Sequence, residues 1–243
     1  MIDIMNMTCP HCKKEFAADI YVGEESHDYN ATLVRKRTQH INWSEIKSEI
    51  ENGYGNAILS VGDKLCFTLK DGRAASVSVI AINHYENNSV IFMFDNMLWE
   101  KEMNHRSTNH GGWHDSYMAD FLDDEVYAVL PEELACVIKT RTIVQKLDNV
   151  EYKRESKLWL PSMTEVFGER TGYDECDFGD IQFPIFKKGI NRIRARESGE
   201  TYWYWLRSPR LGASGVFWLV SDYGDSYWAC ASDAYGVCPC FII

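Results

Sequence analysis

Two cysteines near the start of the chain have a spacing that suits a metal ion. Cys9 and Cys12 stand in C-x-x-C order, and two thiolates at this spacing can occupy one edge of a tetrahedral zinc site. A full site needs two more ligands, and no second C-x-x-C follows. His11, His27, His40 or a second copy of the chain would complete it. Zinc at Cys9 and Cys12 is the one cofactor that the sequence suggests; the alternative is a vestigial knuckle with free thiols.

The other six cysteines do not have the pattern of a disulfide framework. The chain does not begin with a basic segment followed by an apolar one, so we expect no secretory leader and reduced thiols. Cys238 and Cys240 are one residue apart in a predicted strand, where they share a face at a spacing unfavourable for a bridge. Cys66 and Cys136 lie in apolar segments and are predicted to be core residues.

Histidines surround a double glycine in the middle of the chain. His110 and His114 are four residues apart, with Asp115 beside them, and in a helix the two imidazoles would share one face. The intervening Gly111-Gly112 favours a loop instead. We expect a surface loop that leads into the next helix, with a metal site as the alternative.

Arginines form a second group of candidate side chains. Arg192, Arg194 and Arg196 alternate along the chain and could bind an anion, although a solvated face is the stronger expectation. Arg207 stands among aromatic residues. A buried arginine is retained when a carboxylate or several carbonyls engage its guanidinium, so Arg207 is predicted to be structural.

The stretch from Arg210 to Tyr235 has the composition of a recognition surface. It mixes Ser, Asp, Gly, Ala, Tyr and Trp without a helical period. Tyr and Trp supply rigid contact area while Ser and Gly supply adaptable hydrogen bonding, as in antibody paratopes. The residues predicted to face a ligand are Val216, Leu219, Ser221, Asp222, Tyr223, Asp225, Ser226, Tyr227, Trp228, Ala229, Cys230, Asp233 and Tyr235. The residues predicted to form a fixed framework between them are Phe217, Val220, Gly224, Ala231 and Gly236, and Trp218 is expected in the core.

The end of the chain also has a biased composition. Lys, Glu, Gln and Met together number 43, and none of them follows Glu200, although about nine would be expected in the remaining stretch at the earlier density. Strands and tight turns disfavour Glu and Lys, which is one explanation. The genetic code offers another, because an Asn codon ending in C that is randomised at its two adenines cannot give Lys, Glu, Gln, Met or Trp. Trp218 and Trp228 depart from that rule.

Three short motifs carry a family resemblance. They are Tyr-Trp-Leu-Arg-Ser-Pro at 204–209, Gly-Val-x-Pro-x-Phe at 236–241, and the Ala231-Ser232 lead-in to Gly236. With them the chain resembles the variable proteins of diversity-generating retroelements from gut phages and bacteria, over residues 58–243. The resemblance implies a C-type-lectin-type fold, which formylglycine-generating enzymes share. It also implies that an adenine-directed reverse transcriptase rewrites codons whose side chains lie on an exposed, ligand-facing surface.

The elements that must position these residues follow from periodicity and turn signals. We expect an α+β protein with mixed or antiparallel sheets and two or three supporting helices. A zinc-knuckle-like appendage takes residues 1–20, a linker and helix take 21–57, and the C-type-lectin-type domain takes 58–243, with its variable surface at about 210–235. The predicted helices are 42–52, 116–130, 131–138 and 162–168. The predicted strands are 65–69, 75–82, 90–94, 140–146, 158–161, 203–206, 217–220 and 237–243.

The net charge and the absence of catalytic motifs narrow the range of possible functions. The net charge is −11 and basic residues are scattered, so nucleic acid is an unexpected partner. No apolar run reaches the roughly 20 residues that span a bilayer, so we expect a cytoplasmic or virion-associated protein. No catalytic triad or H-E-x-x-H motif is present.

Three functions remain for comparison. The leading one is a non-catalytic module, possible as an oligomer, that binds a protein or glycan on a cell or particle surface. The second is a formylglycine-generating-type oxidoreductase with copper, for which Cys230, Cys238 and Cys240 are the candidate ligands. The third is a structural phage protein that docks through its knuckle.

Overall fold

The structure is a computed structural model that describes residues 2–8, 15–21, 42–168 and 176–243. The chain divides into two compact units, Met1–Lys36 and Arg37–Ile243. In the first unit the described residues form one antiparallel hairpin, in which Ile2 is opposite Tyr21. Cys9 and Cys12 lie outside the described residues, and zinc at that knuckle stays a prediction.

Sixteen strands are described, and they are numbered in chain order. Their bounds are β1 Ile2–Thr8, β2 Glu15–Tyr21, β3 Lys64–Thr68, β4 Ala74–Ile82, β5 Val90–Phe94, β6 Asn96–Met97, β7 Trp99–Glu102, β8 Arg141–Leu147, β9 Val150–Ser156, β10 Arg194–Arg196, β11 Thr201–Tyr202, β12 Tyr204–Pro209, β13 Val216–Val220, β14 Ser226–Cys230, β15 Ala234–Val237 and β16 Cys240–Ile242. The described α-helices are α1 Trp43–Glu51, α2 Gly55–Ile58, α3 Tyr117–Phe121, α4 Tyr127–Val129, α5 Glu132–Ala135 and α6 Met163–Phe167. Short 3₁₀ turns cover Pro184–Lys187 and Gly189–Arg192.

Two sheets dominate the second unit. One has the order β16-β5-β4-β3, and its neighbouring strands are all antiparallel. The other has the order β14-β13-β12-β15-β7, in which β12 and β15 run parallel. Smaller sheets are formed by β11-β10-β6 and by β8-β9. The chain is therefore α+β with mixed and antiparallel sheets and few helices, as predicted.

The end of the chain closes the second unit. Strand β16 pairs with β5, where Phe241 lies opposite Phe92 and their rings stack with centroids 5.2 Å apart. The N–H groups of Val90 and Ile243 each donate to the carbonyl of the other residue at 3.0 Å. The strand predicted over 237–243 is found at Cys240–Ile242, and its buried residues close the core.

Helix α1 belongs to the core of the second unit. Its N-cap Asn42 accepts a hydrogen bond from the backbone N–H of Glu45 at 3.2 Å, as the capping pattern predicts. Trp43 is fully buried and makes edge contacts with the rings of Phe67 and Phe92 at 5.8 and 5.9 Å. The compact unit thus starts before residue 58, because the tryptophan of α1 fills space beneath the sheet.

The helices predicted over 162–168 and 116–130 differ in how closely they match the structure. In α6, Ser162 and Glu165 form a complete capping box, with the N–H of each residue donating to the side chain of the other at 2.8 and 3.1 Å. The helix predicted over 116–130 instead contains a π turn, Leu122–Val126, between α3 and α4. Phe121, Val126 and Leu130 of this segment are buried, so its apolar spacing locates the buried face but not the hydrogen-bond pattern.

Several strand assignments needed correction. Residues 158–161 form only a single bridge, between Trp159 and Cys240, rather than a strand. Strand β9 was not predicted because its charged residues give no apolar alternation, yet it pairs along its whole length with β8. Across the described parts of the chain, every helix is too short or too polar to cross a membrane.

Candidate functional site

The candidate site is built on the hairpin of β13 and β14, at one edge of the five-stranded sheet. Its ladder runs from Val216 opposite Cys230 to Val220 opposite Ser226. Strand β13 lies between β12 and β14, and four of its five side chains are buried. Strand β14 has a neighbour on one side only, and Ala229 alone among its residues is buried. An edge strand of this kind can present side chains to a partner.

The turn of the hairpin is held by Ser221. Its N–H donates to the carbonyl of Asp225 at 2.8 Å, and its Oγ accepts from the N–H groups of Tyr223 and Asp225 at 3.3 and 3.1 Å. Gly224 has a φ of 85°, which a side chain would strain. A Cβ at Gly224 would also lie 3.2 Å from the carbonyl oxygen of Gly189. The turn therefore has a defined shape that holds Tyr223 in solvent.

Nine of the thirteen residues predicted to face a ligand reach the surface. Tyr223, Tyr227 and Trp228 are the large ones, with exposed fractions of 80%, 51% and 42%. The smaller exposed or half-buried residues are Asp222, Asp225, Ser226, Cys230, Asp233 and Tyr235. The residues from Asp222 to Cys230 belong to the turn and the outer strand of the hairpin, whereas Asp233 follows β14 and Tyr235 lies on β15.

The other four predicted residues are buried, so their assignment to the surface is corrected. Val216 and Leu219 lie on β13, which has a strand on either side. Ala229 pairs with the buried Phe217, and Ser221 is occupied by the turn. Residue type could not separate these positions from exposed ones, because packing against the faces of the sheet decides which side chains are covered. All five predicted framework residues are buried.

Four aromatic rings form a continuous group beside the hairpin, named here the aromatic surface: Tyr202, Trp203, Tyr227 and Tyr235. Trp203 makes an edge contact with Tyr227 at 4.9 Å and stacks on Tyr235 at 6.3 Å. Tyr202 lies 6.2 Å from Tyr235. All four side chains are half-buried or exposed. Rings preordered in this way offer contact area with little further loss of side-chain entropy.

A second aromatic group lies along the β13–β14 ladder. Trp218 and Trp228 are directly opposed, and the guanidinium carbon of Arg210 lies 4.9 Å from the ring centroid of Trp228. Trp218 is half-buried and packs on the core, close to the expectation for it. Its indole Nε1 is buried and finds no hydrogen-bond partner in the part of the chain that the structure describes. Arg210 and the two tryptophans thus add a cationic, aromatic flank to the exposed edge.

Sequence reasoning missed part of this site. Tyr202 and Trp203 precede the stretch predicted to be a recognition surface, and Arg210 is not among the residues predicted to face a ligand. Their neighbours in sequence, Tyr204 and Trp205, are fully buried. Residue type alone therefore does not separate the exposed aromatic residues from the buried ones. The available signal was the short strand β11 followed by β12, where alternation turns some aromatics outward.

A buried ion cluster supports the base of the site. Arg207 on β12 is 1% exposed and donates to Glu165 Oε2 at 2.6 Å and to the carbonyl of Leu160 at 2.8 Å. It also donates to Asp180, which receives a second bond from Arg141 at 2.9 Å. The structural role predicted for Arg207 fits this geometry, because its guanidinium is engaged by two carboxylates and a carbonyl.

The carboxylates of this cluster have pKa values displaced in opposite directions. Burial opposes ionisation of Glu165, but Arg207 and Arg141 outweigh it and lower the pKa to about 2. Burial raises the pKa of Asp180 to about 7, with Arg207 opposing and the charges of Glu165 and Asp177 adding to the rise. The cluster is enclosed beneath the sheet, so we assign these shifts to structure rather than to catalysis.

The cysteines considered as copper ligands are not grouped at the surface. Cys238 and Cys240 are fully buried, and burial raises the pKa of the Cys238 thiol to about 12. Cys230 is exposed on β14. Cys66 and Cys136 are exposed, so their assignment to the core is wrong. Cys66 lies on the edge strand β3, where the alternation of side chains places it on the solvent-facing side of the sheet.

The histidine segment is a surface loop that leads into α3, as predicted. His110 and His114 lie 3.9 and 3.5 Å from the carboxylate of Asp115. Among the described residues, no group of three or more His, Cys, Asp or Glu side chains is arranged to hold a metal.

The three alternating arginines do not form one solvated face. Arg196 is paired with Glu100 at 2.7 Å, and the guanidinium of Arg192 lies over the ring of Phe167 at 4.5 Å. Arg194 is only 7% exposed. The expected solvated face is therefore wrong for Arg194, because the loop folds over its side chain.

Comparison with known proteins gives one finding. The family described as "Domain of unknown function (DUF6273)" matches residues 87–243, which include the hairpin and the closing strand. No curated protein and no solved structure matches the chain significantly.

Proposed function

The chain belongs to the DUF6273 family, whose function is unknown, and from its own surface we propose that it is a non-catalytic ligand-binding protein. The proposed binding surface comprises the β13–β14 hairpin and the adjoining aromatic surface. Its target is a protein or glycan on a cell or particle.

The exposure of large aromatic side chains on a buried frame carries the proposal. Tyr223, Tyr227 and Trp228 reach solvent, whereas Phe217 and Val220 of the same hairpin are fully buried. Soluble proteins seldom leave several large rings exposed together without a partner to cover them. Tyr and Trp are also the residues that most often dominate binding energy.

The chemistry around the rings favours a ligand with both polar and apolar parts. Asp222, Asp225 and Asp233 supply acceptors at the edge of the hairpin, and Arg210 supplies a cation beside Trp228. Sugars stack on aromatic rings and accept or donate hydrogen bonds at their rims, and protein epitopes use the same groups. Both target classes therefore fit the surface.

We further propose that the exposed positions are diversified by a retroelement. The division between exposed and buried positions supports this, because Tyr223, Asp225 and Tyr227 can change without altering the core. The coding DNA provides a direct test. A near-identical template repeat that differs at adenines, with a reverse transcriptase gene close by, is expected. Without both, the diversification proposal fails while ligand binding stands.

The proposed fold is of the C-type-lectin type. The pairing of β16 with the early strand β5 supports it, since that fold is expected to close with its last strand beside its first ones. The long connection between β12 and β15, which carries the β13–β14 hairpin, adds support. Zinc at Cys9 and Cys12 remains a separate proposal.

A pair of displayed libraries tests the binding surface. In one, codons are randomised at eight exposed positions: Asp222, Tyr223, Asp225, Ser226, Tyr227, Trp228, Cys230 and Asp233. In the matched control, the five framework positions are randomised: Phe217, Val220, Gly224, Ala231 and Gly236. Protease resistance on the display particle measures folding, and selection against unrelated proteins and immobilised glycans measures binding.

We expect most members of the surface library to fold and few of the framework library to do so, because only the second set removes buried contacts. Binders to several targets should then be enriched from the surface library. Equal folding losses in the two libraries, or no binder from a well-folded surface library, would contradict the proposal.

A further inference from the structure

A second candidate site lies between β3–β4 and the 3₁₀ turns. It is a cavity of about 600 Å³, a size in the range of small-molecule sites. Its walls come from the start of β3 and the middle of β4 on one side, and from residues 184–194 on the other. None of the residues proposed for ligand binding at the hairpin lines it.

The lining of this cavity is cationic. Lys64, Lys187, Lys188 and Arg194 contribute positive charges, and Asp95 is the single carboxylate. Asp95 already accepts a hydrogen bond from Ser78 Oγ at 2.6 Å and lies 3.6 Å from Lys64 Nζ. The remaining three cations make no ion pair with the described residues. In a chain with a net charge of −11, this is a local reversal of sign.

Arg194 is the most informative of these side chains. It is more than nine-tenths buried, yet its guanidinium has no carboxylate partner among the described residues. Its Nη1 donates to the carbonyls of Asn191 and Ile193 at 2.7 and 3.0 Å, and Nη2 lies 3.4 Å from Met93 Sδ. The guanidinium carbon lies 5.6 Å from the ring centroid of Phe186, and Nε makes no hydrogen bond within the described residues. A buried charge is costly unless an opposite charge compensates it. An anion in the cavity would supply that compensation.

Apolar side chains complete the cavity. Ile185, Ile190 and Ile193 line the same space, and Ile190 is 71% exposed. An exposed isoleucine next to a cationic pocket suits a ligand that carries an apolar group as well as a charge. Inorganic phosphate would use only the charged half of the lining.

We propose that this cavity binds a small organic anion, with its carboxylate or phosphate group toward Arg194 and the lysines and its apolar part against the isoleucines. The buried positive charge of Arg194 favours binding of the anion in the cavity. Lys187 and Lys188 attract the anion at the mouth, and the low-dielectric walls strengthen the attraction. The site is independent of ligand binding at the hairpin.

Isothermal titration of the full chain with four probes tests the proposal. The probes are phenyl phosphate, benzoate, inorganic phosphate and the neutral benzyl alcohol, each at up to about 10 mM so that weak millimolar affinities are detected. We expect saturable one-to-one binding of at least one organic anion, tighter than that of inorganic phosphate and of benzyl alcohol. Raising the salt concentration should weaken it. If neither organic anion binds, or if inorganic phosphate binds as tightly, the proposal is overturned.

Variants locate the binding. The double variant Lys187→Gln/Lys188→Gln is expected to lower affinity by about tenfold. The matched control Lys146→Gln/Lys153→Gln removes the same two charges from the β8–β9 hairpin and should leave affinity within about twofold. An equal loss in both variants would show that net charge alone is responsible.

Arg194 is tested with two substitutions because its removal affects the loop. Arg194→Met should abolish measurable binding, whereas Arg194→Lys keeps the charge, loses the planar donor group and should bind weakly. Thermal unfolding verifies that each variant is folded. Unchanged affinity in a folded Arg194→Met protein would overturn the assignment. Tyr227→Ala serves as a further control, which should bind the anion normally.

Discussion

Trp218 and Trp228 lie directly opposite each other across the β13–β14 ladder, one packed on the core and the other 42% exposed. The same residue type therefore serves two purposes within one cross-strand pair. Both side chains project from the same face of the sheet, where the ring of Trp218 packs against the core and that of Trp228 is partly open to a partner. The same division between buried and exposed side chains occurs along the whole hairpin.

The stability of the two tryptophan variants should differ. Trp228→Ala is expected to lower the free energy of unfolding by less than about 1 kcal/mol, because exposed side chains contribute little burial. Trp218→Ala should cost about 2–4 kcal/mol through the space it leaves. Urea unfolding followed by circular dichroism measures both. Equal losses would mean that Trp228 is part of the core in solution.

The ion pair of Arg207 and Glu165 should be a strong contributor to folding. Removal of one partner, as in Arg207→Met or Glu165→Gln, leaves a buried group uncompensated and should cost about 3–5 kcal/mol. The control is Lys47→Gln, which breaks an exposed pair with Glu51 at 3.3 Å and should cost less than about 0.5 kcal/mol. Urea midpoints compare them. A small effect at Arg207 would indicate that water reaches the cluster.

Stability should depend on pH through Asp180. Its pKa rises from 3.8 to about 7, so between these values the folded protein holds a proton that the unfolded chain has lost. The contribution to stability is therefore full below about pH 4 and is lost as the pH rises through 7. Glu165 acts oppositely, since its lowered pKa makes stability fall as the pH drops from 4.5 toward 2.

Asp180→Asn separates the two effects. An amide does not titrate, so the decline in unfolding free energy between pH 4 and 7 should disappear in this variant while the acid-side decline remains. Urea unfolding at intervals of pH provides the measurement. A slope between pH 4 and 7 that matches the parent protein would assign the titration to another group.

Gly224 should be the least replaceable glycine of the hairpin. Gly224→Ala combines an unfavourable φ of 85° with the 3.2 Å approach to the carbonyl of Gly189, and we expect a cost of about 2–3 kcal/mol. Gly212→Ala is the matched control. Its φ is 78°, but a Cβ there meets no atom within 4 Å, so only about 1 kcal/mol is expected. Thermal unfolding compares them, and equal shifts would remove the steric part of the argument.

The six described cysteines should divide into two classes of reactivity. Cys66, Cys136 and Cys230 are exposed and should react with iodoacetamide in the native protein. Cys176, Cys238 and Cys240 are buried and should react only after unfolding. Peptide mass spectrometry locates the labelled sites, and denatured protein gives the reference for complete labelling. Native-state labelling of Cys238 or Cys240 would contradict the packing of the closing strand.

Predictions from sequence succeeded where one local rule was decisive. The capping box of Ser162 and Glu165 formed because both side chains reach each other's backbone within one turn. The structural assignment of Arg207 followed from the high cost of burying an unpaired charge. Strand β9 was not predicted, because its charged residues give no periodic signal. Only its pairing with β8 makes it a strand.

The sequence by itself determined the mixed α+β class, the buried terminal strand and the region in which exposed aromatics occur, because these follow from local composition and periodicity. Only the tertiary structure decided that Leu219 and Ala229 are covered while Tyr227 and Trp228 are open, and that Arg194 is enclosed beside a cavity. The physical reason is that burial depends on which strands and loops become neighbours. Those contacts join residues far apart in the chain, and no local pattern specifies them.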